Sequence, residues 1–450
     1  MRQGRSGWSR WVQILAGLVV PMLVTEVAHG VTRYVAPNGR ASQAGSKDSP
    51  WDLATAASNA KAGDVVELAD GVYAGQFLCL SRSGTAVRPI TFRAADGAVP
   101  VLEGGPGNAR AGIDASTVVH DIVLEGLWLR QWRYSGVAIS WSHHGASGIT
   151  VRHCVADDNQ QAGISLYWAR RITIEENISS RNGWGPDSWS SCNFDIFAPQ
   201  GGDNAIRGNV AFHGIDTSAA SSDGNGFILD LSIDKGSALF ENNLGFLNGG
   251  ACISVTDSRG ARLVNNTCFH NAQRTAAEFE FDDTCRAVVE GIPVNGNDYV
   301  LHDALFANNV AVGDTGKRTF AKHTCKAKST AWVTSAVQGN IFVTGDGTAE
   351  FADPGARDFR LKADSSLVGQ APSIGTPARD IGFDPRCIKA QSAQRYPFWT
   401  NAPDETYIRS IGGIAKCWSP VARPQGAKCW SPVWGTKEGW PSPALGWQQW

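Results

Sequence analysis

The chain has 450 residues, with 50 glycines, only 2 methionines and a formal net charge of −2. That charge excludes a strongly basic nucleic-acid binder, and the glycine excess favours a turn-dense β protein over a helical one. The length allows one long domain followed by a tail.

Residues 1–30 read as a secretory signal. Arg2, Arg5 and Arg10 give a basic start. The apolar run over residues 11–24 is short for a membrane span, and Ala28-His29-Gly30 is a small-x-small cleavage site. The mature chain is therefore expected to be secreted or periplasmic, free of the membrane after cleavage; an uncleaved N-terminal anchor is the alternative. Ten cysteines, an even number, suit an oxidising compartment. Cys285 with Cys325, and Cys387 with Cys417, share loop or tail context and are candidate pairs. Cys154 and Cys268 fall at or beside a repeated position and read as buried thiols. No Cys/His spacing suggests zinc.

After the signal, Tyr34-Val35-Ala36-Pro37-Asn38-Gly39 reads as a strand entering a turn. Residues 51–61 are alanine-rich, with apolar residues at helical spacing. They predict a short helix capping the N-terminal end of a solenoid, whose first coil would otherwise be an exposed edge. Gly63-Asp64-Val65-Val66-Glu67-Leu68 and Gly71-Val72-Tyr73 read as turn, strand, turn, strand, and Pro89-Ile90-Thr91-Phe92-Arg93 starts another coil.

A pattern then returns about every 24 residues. It is clearest in Ile174-Glu175-Glu176-Asn177-Ile178, Ile206-Arg207-Gly208-Asn209-Val210, Phe240-Glu241-Asn242-Asn243-Leu244 and Leu263-Val264-Asn265-Asn266-Thr267. Five places beyond each Asn stands a second polar or glycine residue: Asn182, Gly214, Asn248, Asn271. A unit this short cannot bury its own apolar face and must stack on its neighbours. Short β-rich units with turns between them predict an all-β solenoid, a parallel β-helix with one coil per repeat. The Asn column reads as structural, its amides bonding along the axis. Coils run to about residue 284, resume at Phe306 and Val337, and end near Asp358-Phe359-Arg360-Leu361. The domain plan is a signal at 1–30, the β-helix at 31–388, and a tail at 389–450. The tail holds seven of the 17 tryptophans and reads as an adventitious or partly disordered extension; stacking on sugar rings is the functional alternative. A capped solenoid is expected to be a monomer.

Strand alternation assigns faces. Phe194/Ile196, Phe227/Leu229, Ile253/Val255 and Phe279/Phe281 are expected inward. The residues between them form two outward columns: Ser165, Asp195, Ile228, Ser254, Glu280, and Tyr167, Phe197, Asp230, Thr256, Asp282. Neighbours in a column lie ~4.8 Å apart. The preceding strand gives the outward column Asp158, Arg181, His213, Leu247, His270. Two coils carry inserts, at residues 184–192 and 217–222; Asp195, Asp216, Asp223 and Asp230 lie around them on two successive coils, and oxygens converging from different coils suit calcium. Ordinary Asp-Gly and Asn-Gly turn chemistry is the alternative for Asp223-Gly224-Asn225-Gly226. Arg181 suits a substrate carboxylate, because guanidinium and carboxylate pair bidentately. His213 titrates where a general base is useful.

Two stretches resemble the secreted right-handed β-helix polysaccharide lyases. The segments Tyr34–Gly39, Gly63–Leu68, Gly71–Tyr73 and Pro89–Arg93 are similar to the N-terminal part shared by family 9 pectate lyases and family 6 alginate and chondroitin lyases. Asn193-Phe194-Asp195-Ile196, with Asp223-Gly224-Asn225-Gly226-Phe227-Ile228-Leu229 one coil later, resembles the family 9 core. The resemblance implies a right-handed β-helix acting on an acidic polysaccharide by β-elimination. It implies calcium bound through Asp195 to neutralise a uronate carboxylate, and a lysine base one coil on. The lysine position is Ile228, which cannot take a proton. His213, or Lys235 if its loop folds back, is then the candidate base; Arg181, Tyr167 and His270 are candidate substrate contacts. Two other readings stay open. One is a non-catalytic exopolysaccharide-binding β-helix. The other is a glycoside hydrolase pairing Asp195 with Asp230 or Glu280.

Overall fold

The computed structural model describes residues 30–369 apart from the segments 106–109, 141–143, 187–189, 218–222, 231–235, 256–257, 272–276, 281–300, 303, 314–317, 321–335 and 355–357, together with two short strands further on. Residues 1–29 of the expected signal, Lys235 and the four cysteines in the expected tail and loop pairs lie outside the described residues.

The chain winds as a right-handed parallel β-helix, the hand that parallel crossovers take. One coil illustrates the rest. Thr173–Glu175 lies in the first sheet, Ile178–Ser180 in the second and Phe194–Phe197 in the third, before Ala205–Arg207 re-enters the first. The sheets have 11, 10 and 9 strands, and register is kept from coil to coil, as in Ile174↔Ile206↔Phe240↔Leu263. Those four side chains are fully buried in one continuous core. Burying each contributes roughly 1.5–3 kcal/mol.

The helix expected at the N-terminal end is Leu53–Asn59 (α1). Asp52 caps it, accepting the Thr55 N–H at 2.7 Å, and Leu53, Ala56 and Ala57 bury against the first coil.

The turn between the first and second sheets is set by the Asn column. The side-chain Nδ2 of Asn177 donates to Val151 O of the coil before (2.9 Å), and Nδ2 and the backbone N–H both donate to Asn209 Oδ1 of the coil after (3.0 Å). The same bonds recur at Asn209, Asn243, Asn266 and Asn309, ending on Asn340. Each buried amide is satisfied, and strand spacing is locked along the axis. A second column, Asn159, Asn182, Asn248 and Asn271, holds the turn after the second sheet. It breaks at Gly214, where Asn193 enters instead. Asn193 accepts from Asn182 Nδ2 (2.8 Å) and donates to Asn248 Oδ1 (2.9 Å). A Cβ on Gly214 would stand 2.9 Å from Asn193 Nδ2, so glycine is what lets the amide in.

Of the two cysteines read as buried thiols, Cys154 is one; its thiol donates to Arg152 O at 3.3 Å. Cys268 is instead joined to Cys252 in a buried disulfide. Cys252 directly precedes the third-sheet strand Ile253–Val255, while Cys268 lies on the next coil's second-sheet strand, opposite Gly245. A Cβ at Gly245 would come 2.6 Å from Cys252 Sγ, so the bond fits inside the solenoid because residue 245 has no side chain. Sequence spacing carries no sign of it, since the partners meet only after one turn of winding.

The outer faces differ. The first sheet carries an alternating charge ladder in register: Glu67, Arg93, Glu125, Arg152, Glu175, Arg207, Glu241. Ion pairs bridge it, such as Arg152–Glu125 at 3.0 Å and Arg207–Glu241 at 3.3 Å. The second sheet has one outward column that is apolar and buried, from Val101 and Trp128 to Leu244, and a second that runs from Glu103, Arg130, Asp157 and Ser180 into Phe212 and Phe246. The strands Phe351–Asp353 and Asp358–Leu361 lay Phe359 on Phe246 and Phe269. One face thus carries an alternating charge ladder, and one is mostly apolar with a charged N-terminal end. The third presents carboxylates and half-buried aromatics. In the tail, Trp430–Pro432 pairs antiparallel with Trp447–Gln449.

Candidate functional site

Asp195 sits mid-strand in Phe194–Phe197, between Ile164–Tyr167 and Phe227–Asp230. Phe194 and Phe227 stack inside the coil at 4.8 Å, so period-two alternation turns Asp195 outward. Its column runs Ser165, Asp195, Ile228, Ser254, Glu280, and the next runs Tyr167, Phe197, Asp230, in the register expected. Thr256 and Asp282 lie outside the described residues, as does the side chain of Glu280.

Asp216 and Asp223 come from the loop that leads into Phe227–Asp230. Asp216 is buried and accepts the Asp223 backbone N–H at 3.0 Å. Burial, then the carboxylates of Asp216, Asp195 and Asp230, push the Asp223 pKa well above the usual carboxylate range. Asp195 is pushed up to about 6 by burial, against hydroxyl bonds from Ser190 and Tyr167 that favour its charged form. The Cys192 thiol, reduced and buried, is pushed up first by burial and then by the same four carboxylates. Three of these acids therefore bear on Asp223, and all four bear on Cys192.

Such a group is the donor chemistry of a hard cation, which would relieve the repulsion by supplying opposite charge. As they stand, no three His, Cys, Asp or Glu side chains among the described residues close around a common point. The donor types fit calcium; binding would require the carboxylates to draw together.

The other expected residues divide between internal contacts and turn positions. Arg181 is buried and turned onto Asp157, Nε donating to Oδ1 at 2.8 Å and Nη2 to Oδ2, while Ser180 donates to the same carboxylate at 2.7 Å. Its fork is used within the protein, which corrects its reading as a ready clamp for a substrate carboxylate. Asp158 beside it is pushed up to about 6, by burial first. His213 is buried against Phe212, their rings 5.3 Å apart, at a left-handed turn position (φ 52°). His270 holds the equivalent turn position two coils on, against Phe269 at 4.5 Å. Tyr167 is buried, with its Oη 2.9 Å from Ser190 Oγ.

Sequence reading missed Ser190. Its Oγ lies 2.5 Å from Asp195 Oδ2 and 3.4 Å from Ser165 Oγ, making it the hub that links Tyr167 to Asp195. Its φ is 66°, and it lies in an insert with no periodicity to mark it. An aromatic group at the same strand ends was also missed. Trp168 stacks on His144 at 3.8 Å and meets the Phe197 ring edge-on at 5.0 Å.

The fold is a right-handed parallel β-helix whose third sheet carries Asp195 and Asp230 on adjacent strands. Residues 33–183 match the model of the family described as Pel9A-like, right handed beta helix region, so the N-terminal coils carry the β-helix expected from the sequence. The match ends before Asp195. Among solved structures, the chain is similar to the crystal structure of pectate lyase Pel9A, with 18% identity, 79% of this chain and 96% of that chain covered, and a TM-score of 0.52. A rhamnogalacturonan lyase aligns at 15% identity over 78% of this chain and 96% of that one, with a TM-score of 0.47. The first likeness shows the fold. Among curated proteins, the uncharacterized protein YwoF of Bacillus subtilis (strain 168) is 31% identical over 160 residues, which is 34% of this chain and 33% of that protein. The chain thus spans about a third of the length of that relative.

Proposed function

We propose that this protein acts outside the cytoplasm on an acidic polysaccharide laid along the outer face of its third sheet. The reaction is calcium-assisted β-elimination of uronate residues. The observation that carries this is the placement of Asp195 and Asp230 on adjacent strands of that face, with Asp216 and Asp223 joined in the loop that leads into the second of them. These four would hold the cation, whose charge would neutralise the uronate carboxylate and acidify the proton beside it. Ser190 and Tyr167 orient Asp195 through their hydroxyls. Proton removal then falls to His213, or to Lys235 outside the described residues. The interior Cys252–Cys268 disulfide supports an oxidising compartment.

One observation favours a second reading, a glycan-binding protein without turnover. Ile228 fills the place beside Asp195 where the resemblance expects lysine.

The test uses the purified full chain with polygalacturonate, alginate and chondroitin, with and without calcium, tracking ultraviolet absorbance of unsaturated uronates. A calcium-dependent rise supports elimination; a flat trace with retained glycan binding supports the second reading. Calcium is also expected to raise the melting temperature of the wild type but not of Asp223→Asn. No rise in the wild type would remove the cation from the proposal.

A further inference from the structure

We infer that Trp168 and Phe197, backed by His144, form a sugar-stacking subsite immediately N-terminal to the acid group. The inference rests on the glycan reading above and adds where a pyranose ring sits.

Three observations carry it. First, Trp168 takes a position that alanine, Ala198, fills on the next coil. Trp168 and Ala198 each directly follow a third-sheet strand, with φ of 44° and 46°. A bulky side chain is disfavoured in this left-handed conformation, and nothing in the coil geometry asks for an indole there. Second, the aromatic side chains stay part-exposed instead of entering the core: Trp168 and Phe197 are half-buried and His144 is exposed. His144 packs almost parallel to the indole, 20° between planes, while Phe197 meets it at 71°. Neighbours on two sides hold the indole in one orientation. Third, the group is continuous with the acids. Phe197 is two residues beyond Asp195 on the same strand and stands directly opposite Asp230 in register.

His144, Trp168, Phe197 and Asp230 thus succeed one another on successive coils. Adjacent rungs are ~4.8 Å apart, so the indole lies about two rungs from Asp230 along the axis. A pyranose ring has an apolar face of C–H groups and a rim of hydroxyls. Its face suits a half-exposed aromatic, and its hydroxyls suit the carboxylates one or two rungs on. A glycan running parallel to the solenoid axis meets both. Isolated apolar side chains on a surface carry no such meaning; an oriented aromatic group beside buried carboxylates does.

The test compares Trp168→Ala, Trp168→Phe and wild type in calorimetric titrations with an oligogalacturonate and with a neutral cello-oligosaccharide. Ala198 already occupies the same backbone conformation one coil on, so alanine fits position 168. Trp168→Ala is expected to weaken binding at least tenfold and Trp168→Phe less than threefold, with the melting temperature and its response to calcium unchanged in both. Trp168→Ala binding within twofold of wild type overturns the subsite. Wild-type binding of the neutral sugar alone, lost in Trp168→Ala, keeps the subsite and removes the uronate reading. Wild-type binding of neither sugar overturns both.

Discussion

Asp195 and Ile228 are register partners on adjacent strands of the third sheet, both facing outward. Ile228 is 6% exposed and packs with Ala162 and Cys192. The position next to the key carboxylate is therefore closed by an apolar contact instead of carrying a proton acceptor.

Ile228→Lys places an ammonium beside the buried Asp195 carboxylate. It is expected to lower the raised pKa values of Asp195 and Asp223 and to give calcium-dependent cleavage of polygalacturonate above the wild-type level. Eliminase rates at matched protein concentration check this. Unchanged rates, with the variant folded, would mean that a further catalytic group is absent.

Arg181→Ala would strand the buried Asp157 carboxylate. Removing one partner of a buried pair costs about 3–5 kcal/mol, so a large fall in stability to denaturant is expected. Arg181→Lys should recover little, because an ammonium cannot reproduce the two-pronged contact. Equilibrium unfolding in urea measures both. Normal stability with lost glycan affinity would return Arg181 to a substrate role.

Asn193→Ala opens the second amide column at the point where Gly214 left room. The facing groups of Asn182 and Asn248 each lose a partner inside the solenoid. A loss of about 1–3 kcal/mol is expected. Faster amide hydrogen exchange should appear first in the strand Phe194–Phe197, which begins directly after this residue.

The His153 cluster sets a pH window for stability. The Glu125 carboxyl is lowered to about 2, first by its bond to His153 and then by Arg152, against the effect of burial. Its stabilisation is present above the unfolded value of 4.5 and is lost as pH falls through about 2. For His153, burial opposes the proton, but bonds to Glu125 and Glu176 outweigh it and raise the pKa above 6.5. That contribution is full below 6.5 and is lost as pH rises through the folded value. Melting temperature should therefore be highest between the two limits. His153→Gln should remove the decline on the alkaline side; persistence of that decline would assign it to another group.

Apolar period and turn chemistry are local properties, and they determined much from the sequence alone. The spacing of Asn177, Asn209, Asn243 and Asn266 determined the coil. Alternation around Phe194 and Phe227 determined which residues share a column, so Asp195, Ile228 and Asp230 were legible as neighbours. The N-terminal helix was legible from its alanines. Winding decided the rest. Whether Arg181 faces solvent or Asp157 depends on the coil before it. The Cys252–Cys268 bond depends on Gly245 leaving space across the interior. Ser190, Trp168 and His144 lie in irregular segments, where no period records which side chains meet. Those contacts exist only once successive coils stack, because each is made by residues from different turns of the solenoid.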